Sequence, residues 1–273
     1  MARQNPDGER LSNPAQLFLE WSGKHSCFFY YDKEKEEKVQ VKLPFTFIVL
    51  DTLHTLKGFN EKEEIGYYSN EIKDFKTQQF KVKSKNGVEW EGLYDSFKDA
   101  YKAKGGKYGQ SVYIAIKNEE GKLIIANIFM SGSALAGGKR KEGKTITEIG
   151  GWMDFVGKYQ KELYSKAVSV STAEQCTKGD NTYYVPVFKL VEVSKETDDE
   201  AGVLQGEVVE YIKEYLLNTQ LAQAVNEAHA KAFGGTPTEL TETEKAFLTK
   251  PNLDDIGPLP TDGQVDDVDD LPF

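Results

Sequence analysis

The dipeptide Asn86-Gly87 constrains the fold of this chain more than any other sequence feature. It separates two short segments, 77–85 and 88–93, in which charged residues alternate with β-branched and aromatic ones. Asn-Gly between such segments is typical of a two-residue β-hairpin turn, and a turn of this length fixes the register of both strands. The sequence therefore predicts an antiparallel hairpin. Its facing pairs are Lys85 with Val88, Lys83 with Trp90, and Lys81 with Gly92.

One face of this predicted hairpin combines positive charge with an aromatic ring. In the predicted register, Lys81, Lys83 and Lys85 surround Trp90. Lysines pair with phosphates and a base stacks on an indole, so this pattern is typical of non-specific binding to single strands. The alternative is that Trp90 is a core residue beside an ordinary solvated edge, because a one-residue slip in the turn would exchange the two faces.

The other segments predict a mainly β fold around this hairpin. Strands are predicted where β-branched and aromatic residues cluster, and a helical period of apolar residues marks one helix between them. The order of elements is a first hairpin, the Asn86-Gly87 hairpin, one helix and a further hairpin. This order matches the OB-fold, a five-stranded Greek-key barrel with a helix between its third and fourth strands. The other strands are predicted at 27–31, 39–56, 110–117 and 122–130, and the helix at 94–102.

Additional elements exceed a minimal barrel, so we expect an OB-fold core elaborated by added helices. They are a turn of helix within 14–21, a Gly-rich basic loop at 131–147, a helix at 152–164, a closing hairpin of 167–173 and 182–193, and a helix at 203–233. We expect the apolar stripe of the last helix to pack on the barrel; the alternative is self-association or partner binding. The domains are then 1–195, the OB-fold; 196–235, an acidic helical segment; 236–250, a linker with a short helix; and 251–273, a disordered acidic tail.

The net charge of −10 is unevenly divided along the chain. Residues 1–190 contain 29 Lys and Arg against 25 Asp and Glu, whereas residues 191–250 contain 5 against 12 and residues 251–273 contain none against 7. A mildly basic body therefore carries two acidic segments. This division permits the body to bind a polyanion, and it lets the acidic tail compete for the same surface.

The C-terminal residues combine acidic and apolar side chains in a way that cannot form a core. From residue 251 onward the chain has seven Asp, no Lys or Arg, and four prolines, so neither a helix nor a packed core is expected. The last eight residues read Asp-Asp-Val-Asp-Asp-Leu-Pro-Phe. Such an end suits recognition by an apolar pocket with a basic rim. The alternative is an acidic tail that only increases solubility.

This terminus resembles the acidic tip of bacterial and phage single-stranded DNA-binding proteins, in which a run of Asp ends in an apolar residue, Pro and Phe. The resemblance implies an OB-fold body that binds and protects single-stranded DNA without sequence specificity. It also implies a tip that recruits replication, recombination and repair proteins. The longer body and added helices depart from the common bacterial form, which leaves the oligomeric state open. The implied partner-binding residues are Asp266, Asp267, Asp269, Asp270, Leu271, Pro272 and Phe273.

The predicted DNA-binding residues are lysines, one arginine and aromatic residues of the body. Apart from Tyr67 and Tyr68, they belong to the predicted strands, to the segment after the helix at 94–102, and to the basic loop at 131–147. They are Lys81, Lys83, Lys85, Trp90, Tyr67, Tyr68, Lys104, Lys107, Tyr108, Tyr113, Lys139, Arg140, Lys141 and Lys144.

An alternative function follows from residues 138–145, which satisfy the P-loop pattern of nucleotide-binding enzymes. The context is poor, because seven residues separate the preceding strand from the first glycine, and Gly150 and Gly151 interrupt the expected helix. We therefore favour a flexible loop that binds DNA phosphates. A further alternative is a protein-interaction adaptor without affinity for DNA.

Other features argue against an enzyme, a metal site and an export signal. The two cysteines, Cys27 and Cys176, lie far apart in the sequence and the three histidines complete no zinc-ligand spacing, which predicts neither a disulfide framework nor a zinc site. No catalytic motif has local support, so we expect a non-enzymatic protein without cofactors. The N-terminus lacks the apolar stretch of a signal peptide, so we expect a cytoplasmic protein, in the host cell if a phage encodes it.

Overall fold

The structure, a computed structural model, describes residues 12–143 and 145–233, with side chains up to residue 219. Lys144, the predicted linker with its short helix, and the acidic tail with the predicted partner-binding residues lie outside the described residues.

In the described part of the chain, eleven strands form one large mixed sheet, and two more form a separate hairpin. The strands are β1 (Leu17–Ser22), β2 (Cys27–Asp32), β3 (Glu37–Val41), β4 (Phe45–Asn60), β5 (Ile65–Ser69), β6 (Phe80–Ser84), β7 (Gly87–Gly92), β8 (Gly106–Lys117), β9 (Leu123–Ser131), β10 (Gly138–Glu142), β11 (Thr145–Ile149), β12 (Ala167–Lys178) and β13 (Asn181–Val191). The helices are α1 (Tyr94–Ala103), α2 (Gly132–Ala136), α3 (Trp152–Tyr159) and α4 (Lys195–Phe233).

The long strand β4 is the centre of the sheet. The strand order is β3-β2-β1-β9-β8-β4-β5-β6-β7, and β12 pairs with the first residues of β4 while β13 pairs with β12. All pairs are antiparallel except β1 with β9. A bulge between Val49 and Asp51 lets β4 bend, so that it pairs with β8 and β12 at its start and with β8 and β5 at its end.

The two faces of the sheet are packed by different helices. The inner face, on which Phe47, Leu56 and Phe80 lie, forms the main core with residues of α1, α2 and α3. The outer face packs on α4 through a second cluster that includes Leu53, Tyr113 and Val208. Because side chains alternate along a strand, each strand contributes to both layers.

The sheet curls towards closure through β12 and β13. A bulge after Val170 redirects β12, and the hairpin reaches the turn between β1 and β2, where the Tyr184 amide donates to the Gly23 carbonyl at 2.8 Å. Within residues 12–143 and 145–233, no strand ladder joins β3 or β7 to β13. The fold is therefore mainly β with added helices, as predicted, but the five-stranded OB barrel is not confirmed.

Several predicted elements are confirmed and three are wrong. The single strand predicted at 39–56 is divided between β3 and β4. The helix at 94–102, the hairpin of β8 and β9, and the closing hairpin correspond to observed elements, and the predicted helix at 203–233 begins earlier, at Lys195. The predicted turn of helix within 14–21 is wrong, because strand β1 occupies most of it and pairs with β9. The predicted loop at 131–147 is also wrong: it contains the short helix α2 and the hairpin of β10 and β11.

No helix within the described part of the chain combines the length and the apolar character needed to cross a membrane.

Candidate nucleic-acid interface

The hairpin of β6 and β7 has a different register from the one predicted. Ser84 pairs with Gly87, so Lys85 and Asn86 are the two turn residues rather than Asn86 and Gly87. Gly87 has a φ of +113°, a conformation that non-glycine residues rarely adopt. The predicted register is therefore wrong, and the predicted cluster of lysines around Trp90 does not form.

Trp90 belongs to the inner face of the sheet. It pairs with Val82 because a bulge places Glu89 as an extra residue in β7. Its ring packs edge-on against Tyr67 and Tyr101, with centroid distances of 5.1 Å and 5.4 Å, respectively. Trp90 is half-buried against the main core, so the alternative reading of this residue is the correct one.

Lys81 and Lys83 lie on the outer face, opposite Phe80 and Val82 of the same strand, where a row of side chains crosses four strands. Lys83 pairs with Tyr68, Tyr68 with Lys57, and Lys57 with Lys107. We call these four residues the lysine row. Neighbouring strands lie about 4.8 Å apart, so the row spans roughly 14 Å across the sheet.

An aromatic ring lies beside this row on strand β9. Phe129 packs over Gly109, where an added Cβ atom would approach the ring to 2.3 Å. The Nζ atom of Lys57 lies 4.7 Å from the Phe129 ring centroid and 3.8 Å from Oε1 of Glu20 on β1. Gly109 therefore lets the ring lie flat on the sheet, where Lys57 reaches it. We call the lysine row together with Phe129 the outer patch.

The outer patch carries mostly positive charge. Lys83 and Lys57 are partly exposed and Lys107 is exposed, whereas Phe129 is almost covered by its neighbours. Partial burial raises the pKa of Tyr68, so its phenol is neutral at physiological pH. Lys81 lies on the same face and forms an ion pair with Glu91 at 3.4 Å. The arrangement can pair with phosphate oxygens and offers the Tyr68 ring to a base.

Three of the predicted stacking residues are buried. Tyr67 is a core residue of the inner face. Tyr108 also faces inwards and contacts His54, with 2.5 Å between its hydroxyl and Nδ1. Tyr113 lies on the outer face but beneath α4, and its hydroxyl donates to Oε2 of Glu71 at 2.8 Å. None of the three rings is open to a base, so these predictions are not supported by the geometry.

The remaining predicted basic residues do not belong to the lysine row. Lys85, in the hairpin turn, is 3.5 Å from the Glu64 carbonyl, and Lys104 forms an ion pair with Glu63 at 2.9 Å. The other three described residues belong to the hairpin of β10 and β11. Their ion pairs are Lys139 with Glu148, and Arg140 with both Glu142 and Glu174, whereas Lys141 is exposed.

Residues 138–149 form the hairpin of β10 and β11 rather than the loop and helix expected for a P-loop. In that motif the chain turns from a Gly-rich loop into a helix at the Lys-Thr pair. Residues Thr145–Ile149, where the helix would begin, form strand β11 and pair with Gly138–Glu142. The predicted match to nucleotide-binding enzymes is thus confined to the sequence pattern.

Sequence reasoning missed Lys57 and Phe129. Lys57 lies inside the long apolar strand β4 and Phe129 inside the buried strand β9, so neither belongs to a basic or aromatic cluster along the chain. The alternation Leu53, Thr55, Lys57 is the one signal that could have placed a lysine on the face opposite the core.

Comparison of the chain with protein-family models, with curated proteins and with solved structures finds no match.

Proposed function

We propose that this protein binds single-stranded DNA without sequence preference through the outer patch. The observation that carries the proposal is the register that sets Lys83, Tyr68, Lys57 and Lys107 side by side on the outer face. Three cations within a row of four neighbouring strands suit a flexible phosphodiester backbone. The phenol among them provides a stacking surface that every base can use.

The aromatic component favours a single strand over a duplex. In a duplex the base faces are stacked on one another, so a ring on a protein surface meets only backbone and groove edges. In a single strand the bases can turn towards Tyr68 while the phosphates follow the lysines. The patch therefore fits single-stranded DNA better than duplex DNA.

The proposal includes the OB-fold as the finer description of the central strands. As expected, α1 lies between the hairpin of β6 and β7 and the hairpin of β8 and β9, and β5 is a strand that was not predicted. The bent strand β4 pairs with both β5 and β8, and this non-sequential pairing is typical of Greek-key barrels.

The proposal also includes a recruiting role for the acidic terminus. The resemblance of residues 266–273 to the tip of single-stranded DNA-binding proteins supports docking of replication, recombination and repair proteins there. These residues lie outside the described part of the chain, so the support comes from the sequence alone.

A fluorescence-anisotropy titration tests the DNA-binding proposal. The wild-type protein should bind labelled oligo-dT more tightly than a duplex of equal length. Each phosphate contact contributes roughly −0.7 to the slope of log K against log salt concentration for single strands, so Lys57→Gln should flatten the slope by about that amount. Lys98→Gln is the matched control, because Lys98 pairs with Asp95 on α1, away from the outer face.

Two outcomes would contradict the proposal. Failure of the wild-type protein to bind oligo-dT in dilute buffer would favour a protein-interaction adaptor without affinity for DNA. Hydrolysis of added ATP would favour the nucleotide-binding alternative, despite the hairpin that residues 138–149 form.

A further inference from the structure

The outer face of the hairpin formed by β2 and β3 repeats the chemistry of the outer patch. Phe28 and Tyr30 point to the main core, so the alternate residues Phe29 and Tyr31 lie on the outer face. Both are partly exposed. The Nζ atom of Lys38 on β3 lies over the Phe29 ring, 5.4 Å from its centroid. We call Phe29, Tyr31 and Lys38 the second patch.

The acidic residues on the two strands of this hairpin lie on the face opposite the second patch. Asp32 and Glu37 face one another at the end of the ladder, and alternation places both on the opposite side from Tyr31 and Lys38. Gln40, which pairs with Phe29, extends the outer row with a neutral polar side chain. The second patch is therefore cationic and aromatic, a combination complementary to a polynucleotide.

A direct row of paired residues connects the second patch to the outer patch. Phe29 pairs with Glu20 on β1, and Glu20 pairs with Phe129 on β9. The two patches thus lie on one continuous sheet face, with the ion pair between Glu20 and Lys57 at their junction. In this pair Lys57 offsets the negative charge of Glu20, the acidic side chain that stands in this row.

We infer that the second patch holds the continuation of the same DNA strand whose first nucleotides occupy the outer patch. This inference rests on the proposed function. From β3 to β6 the face crosses eight strands, or roughly 34 Å at about 4.8 Å per strand spacing. The lysine row alone spans less than half of that distance. A short oligonucleotide fills the outer patch, whereas a longer one reaches Phe29 and Lys38.

The test compares two oligonucleotide lengths, about 5 and about 15 nucleotides of dT, which bracket most of the range of site sizes known for single-strand modules. Phe29→Ala combined with Lys38→Ala should lower affinity for the longer oligonucleotide about tenfold and leave affinity for the shorter one unchanged. The milder pair Phe29→Leu and Lys38→Gln, checked by circular dichroism, covers the case in which truncation disturbs the hairpin. Lys35→Gln is the matched control, because Lys35 pairs with Asp32 in the turn of the same hairpin.

The possible results separate the two proposals. If Lys57→Gln weakens both lengths while the second-patch variants weaken neither, the continuation is wrong and the proposed function stands. If the second-patch variants weaken both lengths equally, the continuation is also wrong, because the β2–β3 hairpin would then be part of the minimal site. If the wild-type protein binds neither length, the proposed function itself fails.

Discussion

Glu20 lies at the junction of the outer patch and the second patch. Its carboxylate lies 3.8 Å from Nζ of Lys57, and both side chains are partly exposed. A phosphate that binds Lys57 must compete with this carboxylate and is repelled by it. Surface ion pairs of this kind contribute roughly 0.2–1 kcal/mol. Glu20 therefore limits the affinity of the outer patch for a polyanion.

Replacing Glu20 by Gln should strengthen binding of oligo-dT by about two- to fivefold at low salt, since roughly 1.4 kcal/mol corresponds to a tenfold change. Anisotropy titrations of both proteins measure the change. Asp95→Asn serves as the control, because it releases Lys98 on α1 rather than a lysine of the outer face. Weaker binding by Glu20→Gln would show that the carboxylate positions Lys57 rather than competing for it.

Trp90 is expected to stabilise the fold rather than to contact DNA. Its ring fills the space between β7 and α1, stacked on Phe97 at 6.5 Å. Trp90→Ala should lower the free energy of unfolding by about 3 kcal/mol, as large-to-small changes in packed regions do. Urea denaturation measures this loss. Oligo-dT affinity of the folded variant should equal that of the wild type, and a selective loss of affinity would place the indole in the DNA site.

At the scale of elements, helix α4 decides which part of the outer face is open. It covers Leu53 and Tyr113, whereas Lys57 lies four residues beyond Leu53 on the same face of β4. At the edge of this contact the Glu71 amide donates to the Tyr215 hydroxyl at 2.9 Å, and Tyr113 donates to the Glu71 carboxylate. These bonds connect α4 to the sheet next to the lysine row.

The contact between α4 and the sheet should weaken as pH rises. Burial raises the pKa of Glu71 above its ordinary value of 4.5, so the folded protein retains a proton that the unfolded chain releases. Stability from this group is then present below 4.5 and is lost as pH rises through the higher folded pKa. Urea unfolding of wild type and Glu71→Gln across this range should show the wild type losing stability relative to the variant. The opposite trend would mean that Lys57 and Tyr113 stabilise the carboxylate more than burial disfavours it.

Sequence patterns located most elements but did not predict on which face of the sheet the side chains lie. The helical period at 94–102 was sufficient to predict α1, and the apolar runs of β8 and β9 were sufficient to predict those strands, because local residue type determines such elements. The register of β6 and β7 was not predictable, since Asn86-Gly87 permits two neighbouring turns and no local residue pattern marks the bulge at Glu89. The bulge at Glu89 turned Trp90 to the inner face, away from Lys83 on the outer face. Tyr68 was predicted, whereas Lys57 and Phe129 required the pairing of β4, β8 and β9.

At the scale of the whole molecule, charge is separated between the body and the C-terminal residues. The first 190 residues have a small positive excess, and residues 251–273 contain seven Asp and no basic residue. An acidic segment joined to a cationic face acts as a tethered competitor for any polyanion that binds there. Its effect must decrease with salt, because the screening length falls to about 10 Å at 0.1 M.

Removing residues 265–273 should therefore raise the affinity for oligo-dT severalfold in dilute buffer, and the difference should vanish as salt is added. Asn at positions 266, 267, 269 and 270 keeps the length and the terminal Leu-Pro-Phe while removing four charges, so it separates charge from the apolar end. If charge is the cause, this variant should match the truncated protein in DNA affinity, whereas partner recruitment would be lost in the truncated protein. Equal affinities of wild-type and truncated protein across the salt titration would show that the terminus does not compete for the lysine row.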